Sequence, residues 1–470
     1  MITPASPAGH AGQDQDGSLR SSAAGQSARR SSSFRDAGYL VTSQVLASVF
    51  MFGLGIVLAR ALGPAGRGYY DIAVSSAMLL MTFLGFSLSS GIFYYAAQGA
   101  FQHRRLLLVL LLVCLAQGGV VVAVLGGFGH HPVVSWMLPG GSVVTAALLI
   151  AALLAVLQGQ QLVRAVATGR GRFDAFSLSE VFGRGAALLA VAALAVAGVR
   201  SPVPYVLVFA LAMLGAVLWL GRVAWREPVT SSVLPLGGMA LYSMPLFVGN
   251  VVQFLNYRLD VFFLKGFLSL GAVGTYTVAV GIAQLLWLIP NALGSLVMRA
   301  TAAHGGTEDV LRRVAEVNRF CIYLGAVAAV GLALAASLLL EAVFGRDFSG
   351  SMRPLLVLLP GVVLFCPTIV LSAYLNGIRK QVYTTWVACG SLVVTVALNL
   401  LLIPRIGIVG AAAASTASYA VSSLVTTALV LRLNRGTPVG PFFLPQPDDV
   451  QRAAALARGA LARFRGRSRG

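Results

Sequence analysis

The sequence predicts an all-α integral membrane protein with about twelve transmembrane helices in two six-helix lobes related by pseudo-two-fold symmetry. Of its 470 residues, 57% are hydrophobic and only 10% are charged, whereas soluble domains carry about 25% charged residues. The chain also contains a series of hydrophobic runs long enough to span a bilayer, which takes roughly 20 residues. Finally, two short motifs recur at nearly one offset in the two halves of the chain.

The hydrophobic runs follow one another with short links, which leave little room for a domain outside the membrane. All four cysteines fall inside runs and show neither metal-ligand spacing nor a disulfide framework. The runs lie at 38–61, 69–95, 106–128, 142–167, 176–198, 203–221, 239–264, 271–293, 317–340, 354–376, 383–403 and 409–431.

The segments that flank the runs differ from them in composition. The N-terminal segment is rich in Ser, Ala and Gly, which predicts disorder. The C-terminal tail is Arg-rich and weakly amphipathic, so we expect it to lie on anionic membrane lipids. The predicted boundaries are a disordered N-terminus at 1–36, lobes at 37–222 and 238–432, an interlobe linker at 223–237 and a basic tail at 433–470.

The distribution of Lys and Arg predicts the orientation of the chain in the cell membrane. One set of loops and both termini hold 25 of these residues, the opposite loops hold 7, and two lie within spans. Because positive residues favour the cytoplasm, both termini are predicted to be cytoplasmic. The formal charge of +19 does not indicate a nucleic-acid partner, since no basic face with interleaved aromatics or binding motif is present.

The two halves of the chain look like copies of one unit. The segment LGPAGRGYYDIAV at 62–74 resembles LGAVGTYTVAV at 270–280, at an offset of 206. Thr168-Gly169 and Asn376-Gly377, each followed by basic residues, match at an offset of 208. Internal repeats around a central site are a recurring transporter architecture, and both halves start on the same side, which predicts a repeat axis along the membrane normal.

Most candidate site residues lie on a polar stripe of the seventh span. A spanning helix turns such a stripe toward protein or a wet cavity rather than toward lipid. Arg258 lies beside the stripe, and an open alternative is that this arginine and Asp260 lie near the membrane surface and snorkel to it. The candidates on this span are Asn250, Gln253, Tyr257, Arg258 and Asp260.

Two further groups of polar residues lie within spans. Gln284, Trp287 and Asn291 share one arc of the eighth span, beside Pro290, and suit a polar sugar surface or ordinary helix–helix hydrogen bonds. Glu180 and Arg184 are four residues apart in the fifth span, which favours a structural ion pair at the cytoplasmic mouth.

The sequence does not indicate an enzyme. It has no glycine-rich phosphate loop followed by Lys and Ser or Thr, and no two carboxylates lie close together within one span. The short loops leave no catalytic domain. We therefore predict no catalytic residue, no metal and no cofactor.

Three segments resemble one family. ARALGPAGRGYYDIAVS, NYRLDVFFLKGFLSLGAVGTYTVAVGIAQ and NLLLIPRIGIVGAAAAS are similar to polysaccharide-biosynthesis oligosaccharide flippases, in the multidrug/oligosaccharidyl-lipid/polysaccharide exporter superfamily. This resemblance implies a two-lobe transporter that moves polyprenyl-pyrophosphate-linked sugars across the cytoplasmic membrane by alternating access. The family's aspartate falls on Asp260, and its Gly-x-Tyr falls on Gly274 and Tyr276. The related lipid II flippases usually have fourteen spans, which argues against that subfamily.

The chemistry of such a cargo fits the candidate residues. Arg258 or Arg184 can meet a pyrophosphate, and the amides and aromatic side chains can meet sugar hydroxyls. The predicted function is a flippase for cell-surface polysaccharide biosynthesis, with a lipid-linked glycan as cargo and other polysaccharide-assembly proteins as candidate partners. The alternatives are an ion-coupled multidrug or metabolite antiporter and a membrane-embedded glycan polymerase or ligase.

Overall fold

The computed structural model describes residues 13–98, 103–226, 235–434 and 438–446, apart from the side chains of 13–41, 103 and 245. These residues are helical almost throughout and contain no strand. Ten helices in the described part are long and apolar enough to cross a membrane, or eleven if one bent pair is counted. The first of them contains the first predicted span and most of the second, whose last residues lie beyond a break, in the helix Leu88–Ala97. The predicted all-α membrane fold is confirmed.

The helices are numbered in chain order, with short helices between the long ones. They are α1 (Gln13–Leu84), α2 (Leu88–Ala97), α3 (His103–Phe128), α4 (Pro132–Met137), α5 (Val143–Gly169), α6 (Phe173–Val196), α7 (Pro202–Arg226), α8 (Leu236–Phe267), α9 (Leu270–Ala283), a 3₁₀ turn (Gln284–Trp287), α10 (Leu288–His304), α11 (Glu308–Leu339), α12 (Met352–Gly377), α13 (Gln381–Ile406), α14 (Ile408–Leu433) and α15 (Gly440–Phe443).

Helix α1 is two spans joined at a glycine. Gly63 has φ +64° and ψ −175°, a conformation that glycine adopts without the strain a side chain would bring. Pro64 follows and starts the second arm, where its missing N–H is not needed. The arms at 42–62 and 64–84 are each long enough to span. The helix also extends back to Gln13, through a segment for which composition predicts disorder.

The two lobes repeat the same neighbour relations. In the first lobe, the first arm of α1 packs on α6, α3 on α5, and α7 on both α5 and α6. In the second lobe, α8 packs on α13, α11 on α12, and α14 on both α12 and α13. Helices α5 and α12 also end at equivalent positions, Gly169 and Gly377. The structure thus has the predicted pseudo-two-fold arrangement, with the first and seventh spans equivalent.

Each lobe has its own apolar core, and the ends of the bundle are defined by their loops. One main cluster of buried side chains lies in the first lobe, and another lies in the second lobe and extends across the interface to Ala59 and Ile72. We call the end with loops 170–172 and 378–380 the basic end, and the opposite end the far end. The predicted linker falls largely at 227–234 and the predicted tail largely at 447–470, both outside the described residues.

Prolines interrupt two spans of the second lobe. Helix α8 bends by 52° between Met244 and Leu246. The eighth span is α9 and α10 joined by the 3₁₀ turn Gln284–Trp287. Pro290 follows this turn. Because proline has no backbone N–H, it cannot donate a hydrogen bond to the carbonyl four residues earlier, and the regular series of helix hydrogen bonds is interrupted there.

A short segment after the last span docks on α11 at the basic end. Asn318 donates to the carbonyl oxygen of Phe442 over 3.0 Å, and the Tyr323 hydroxyl donates to that of Phe443 over 2.6 Å. Arg319 donates to the carbonyl oxygen of Pro441. The Phe442 side chain is 1% exposed, so the segment is anchored by its backbone and by one buried ring.

Replacing Phe442 with Ala should lower the stability of the protein markedly. Loss of a buried aromatic ring leaves a cavity and typically costs about 3 kcal/mol or more. Leu444→Ala is the matched control, because Leu444 is 62% exposed two residues away. Thermal unfolding of the detergent-solubilised chain measures both. Equal shifts for the two variants would show that the ring does not anchor the segment.

Candidate functional site

The two lobes meet at the far end through backbone atoms. A Cβ on Gly68 would lie 1.8 Å from the carbonyl oxygen of Leu270, and a Cβ on Gly274 would lie 2.0 Å from that of Pro64. These residues pair at the repeat offset of 206. A contact between equivalent residues lies on the pseudo-two-fold axis, so the axis passes between the second arm of α1 and helix α9.

A buried carboxylate joins the lobes beside this contact. Asp71 is 8% exposed and forms an ion pair of 2.9 Å with Arg67. It also accepts a hydrogen bond from Thr277, its own equivalent in the second repeat. A further link comes from Arg60, which donates to the carbonyl oxygen of Val343 over 2.8 Å. The far end is therefore closed by polar contacts as well as by packing.

An inter-lobe cavity of about 290 Å³ lies between α1, α6, α8 and α9. Three arginines line it, and no carboxylate among the described residues does. Arg67 pairs with Asp71 and Arg184 with Glu180, the latter at 2.7 Å. Arg258 has no hydrogen bond or ion pair with any described residue. The cavity thus presents an excess of positive charge.

A second-lobe cavity of about 730 Å³ lies among α8, α10, α12, α13 and α14 and reaches the basic end at Gln381. Among the described residues, its lining contains no Asp, Glu, Lys, Arg or His. Amide and hydroxyl side chains instead provide both donors and acceptors. Four of the predicted residues line it, namely Asn250, Gln253, Tyr257 and Asn291.

Aromatic rings form one wall of this cavity. Tyr257, Phe365 and Tyr419 line it, and Trp287 packs behind them with ring centroids 5.1–5.9 Å away. The Trp287 indole donates to the carbonyl oxygen of Val362 over 3.0 Å. Trp287 therefore holds the wall in place, while the other three rings face the space.

The remaining predicted residues line neither cavity. Asp260 is 7% exposed and accepts a hydrogen bond from the Tyr276 hydroxyl over 2.5 Å. It faces away from the inter-lobe cavity because two residues along a helix correspond to a rotation of about 200° from Arg258. Glu180 lies behind Arg184 and also accepts from Gln160 over 2.9 Å. Gln284 is half-buried in the 3₁₀ turn.

The sequence argument missed Arg67 and Asp71 as residues of the lobe interface. Their signal lay in the duplication itself. Asp71 and Thr277 are related by the offset that relates Gly68 to Gly274, and equivalent residues that lie near a two-fold axis must lie near each other. The offset alone does not tell which equivalent pairs are close to the axis.

Two similar lobes that close at one end around polar cavities define a multi-pass membrane transporter. The family model described as polysaccharide biosynthesis protein matches residues 33–301. The chain belongs to this family.

Solved structures with the same fold are transporters as well. One is an inward-facing multidrug resistance MATE family transporter of the MOP superfamily, with TM-score 0.67 and 15% identity, over 83% of this chain and 96% of that one. Another is the lipid II flippase MurJ in an inward closed conformation, with TM-score 0.69 and 12% identity, over 86% and 89%. A MOP superfamily transporter from Pyrococcus furiosus matches with TM-score 0.58 and 16% identity, over 86% and 95%. No curated protein sequence matches significantly.

Replacing Gly68 with Ala should prevent the lobes from closing at the far end, because the added Cβ would lie 1.8 Å from the Leu270 carbonyl oxygen. A cysteine introduced at Gly281, which lines the inter-lobe cavity, should then react with a membrane-impermeant maleimide added from the far end. The four native cysteines are replaced by alanine beforehand.

Gly221→Ala is the control for this experiment, because nothing lies within 4 Å of a Cβ at that position. It should leave the labelling of Gly281→Cys at its low starting level. If Gly68→Ala leaves the labelling equally low, the glycine contact is not what closes the far end.

Proposed function

We propose that the chain is a flippase that carries polyprenyl-pyrophosphate-linked oligosaccharide across the cytoplasmic membrane by alternating access, for cell-surface polysaccharide synthesis. The observation that carries this proposal is the lining of the two cavities. One presents arginines and the other neutral amides and hydroxyls, and no described carboxylate lines either. A pyrophosphate joined to a string of sugars has the complementary chemistry.

Arg258 is the residue best suited to the pyrophosphate. The guanidinium groups of Arg67 and Arg184 are already paired with carboxylates, so part of their charge is neutralised. Arg258 makes no hydrogen bond or ion pair with a described residue, and its interaction with the buried Asp260 carboxylate is through space only. A planar guanidinium donates two parallel hydrogen bonds to phosphate oxygens, and such bonds are strong in a poorly hydrated site.

The alternatives fit this lining less well. A cationic drug needs acidic groups facing it, but Asp71, Glu180 and Asp260 are each turned to protein partners. A glycan polymerase or ligase needs a catalytic domain or an acidic cluster at the membrane surface. Among the described residues, the longest link between helices is the segment 340–351, and no group of three His, Cys, Asp or Glu suited to a metal ion is found in the described chain.

The described conformation suits the loading of cargo from one side. The lobes are joined at the far end, and the second-lobe cavity reaches the basic end. If charge bias orients the basic end to the cytoplasm, cargo enters from the leaflet where lipid-linked sugars are assembled. Transport then requires the far-end contact to open and the basic end to close, which is alternating access.

Arg258→Ala should abolish flipping, because the cavity loses its unpaired cation. Arg258→Lys should retain part of the activity, since a point charge replaces a bidentate group, and Arg258→Gln should behave like Ala despite its length. Flipping is measured in proteoliposomes with a fluorescent polyprenyl-pyrophosphate-linked sugar and a membrane-impermeant quencher.

Arg226→Ala controls for the loss of an arginine outside the cavities, because Arg226 is exposed at the end of α7. It should flip at the wild-type rate. Wild-type activity in Arg258→Gln would show that charge is not what this position supplies, and the phosphate site should then be sought at Arg184.

The proposed orientation makes a separate prediction about labelling. Cysteines placed at His130 and Arg346, in far-end loops, should react with an impermeant reagent added outside intact cells. A cysteine at Arg170, in a basic-end loop, should react only after the membrane is permeabilised. Labelling at position 170 from outside would reverse the orientation and with it the direction of loading.

A further inference from the structure

The two cavities share an edge of helix α8. Tyr257 lines the second-lobe cavity and the next residue, Arg258, lines the inter-lobe cavity. Successive side chains on a helix diverge by about 100°, so these two neighbours face the two spaces from one edge. A headgroup lying along that edge would meet a cation on one side and neutral polar groups on the other.

The lining of the second-lobe cavity suits an uncharged polar ligand. Among the described residues its lining has no ionisable acid or base apart from tyrosines. Moving a charged group from water to such a site is costly unless a counter-charge meets it. Hydroxyl and amide groups of a sugar can instead exchange their water hydrogen bonds for those of the lining.

Buried residues that line this cavity carry hydroxyls without a hydrogen-bond partner in the described chain, among them Thr368 of α12. Tyr419 is 8% exposed and Ser422 is 3% exposed, and both line the cavity from α14. Neither hydroxyl has a hydrogen bond with a described residue. Buried tyrosine hydroxyls usually find a partner, so both of these groups are able to hydrogen-bond hydroxyls of a ligand in the cavity.

The aromatic wall adds a second feature that suits sugars. The rings of Tyr257, Phe365 and Tyr419 present apolar faces beside the polar groups. A pyranose has apolar C–H faces and a polar rim, so it matches a wall of this kind. The volume of about 730 Å³ is within the roughly 300–1,000 Å³ of drug-sized ligand sites, which leaves room for a few sugar units.

The equivalent region of the first lobe has opposite chemistry. At the repeat offset of 208, Ser372 and Ala388, which line the cavity, correspond to Arg164 and Glu180. Glu180 forms the ion pair with Arg184 there. A neutral cavity is therefore a property of the second lobe alone, and it does not follow from the shared fold.

We propose that α8 divides the headgroup of the cargo, with the pyrophosphate against Arg258 in the inter-lobe cavity and the first sugars in the second-lobe cavity. The chain then selects glycans whose sugars next to the pyrophosphate carry no charge. This inference rests on the proposed flippase function, and it adds a separate site and a sugar preference to it.

The test measures dissociation constants of the purified full chain in nanodiscs for three probes. These are farnesyl pyrophosphate, farnesyl-pyrophosphate-linked N-acetylglucosamine and farnesyl-pyrophosphate-linked glucuronic acid. The neutral sugar should tighten binding relative to the sugar-free probe, and the glucuronyl group should not. Tyr419→Phe and Ser422→Ala should each weaken the neutral-sugar probe by about fivefold, the worth of one hydrogen bond of about 1 kcal/mol, and leave the sugar-free probe unchanged.

Two further variants sharpen the result. Thr426→Val removes another buried hydroxyl without a partner, one turn further along α14 and outside the cavity lining, so it should change neither probe. Ser372→Arg restores the charge of the first-lobe equivalent and should improve binding of the glucuronyl probe.

The outcomes separate the two proposals. The flippase proposal stands if the sugar-free probe binds and its binding depends on Arg258. The divided headgroup is nevertheless wrong if the neutral sugar does not tighten binding. It is also wrong if Tyr419→Phe and Ser422→Ala leave the affinity for the neutral-sugar probe unchanged, as Thr426→Val does. Equal affinity for the neutral and glucuronyl probes overturns the sugar preference. If none of the probes binds, the flippase proposal itself fails, and this inference fails with it.

Discussion

The contact of Gly68 and Gly274 with the backbone of the opposite lobe is the constraint on which the architecture depends. Any side chain at these two positions would collide with a carbonyl oxygen, so the lobes can approach this closely only where both repeats have kept glycine. The contact lies on the symmetry axis, and the Asp71–Thr277 hydrogen bond lies beside it. The inter-lobe cavity, which Arg67 and Thr277 line, lies beside this closed point.

Symmetry of the fold does not extend to the chemistry of the lobes. The first lobe fills its interior with Glu180, Arg184 and Gln160, which satisfy one another. The second lobe leaves a neutral cavity at the corresponding place. The two lobes of the duplicated scaffold thus differ at this place, with a charged cluster in the first and a neutral cavity in the second. Helix α8 presents Arg258 to the inter-lobe cavity and Tyr257 to the neutral one. Such a division is what a cargo with a charged and an uncharged part would need.

The spans and the duplication could be predicted from the sequence, because hydrophobic length and loop motifs are local patterns. The sequence left the position of Arg258 open between a cavity and the membrane surface, because a residue beside a polar arc fits either place. The closed far end could not be predicted. From the sequence, Asp71 could equally lie at the membrane surface, and only the structure shows its hydrogen bond with Thr277. The cavity position of the Tyr419 and Ser422 hydroxyls could not be predicted from the sequence either. Serine and threonine in membrane helices commonly bond to their own backbone, so their type and spacing do not show which ones face a cavity.

The docked segment around Phe442 has a mechanical consequence. Its acceptors are main-chain carbonyls held by α11, while its other end continues directly from α14, with residues 434–439 in between. A connection of so few residues limits how far the basic ends of the ninth and twelfth spans can move apart while the segment stays docked. We expect these two helices to move together during any rocking of the lobes, with bending at the interruptions in α8 and in the eighth span.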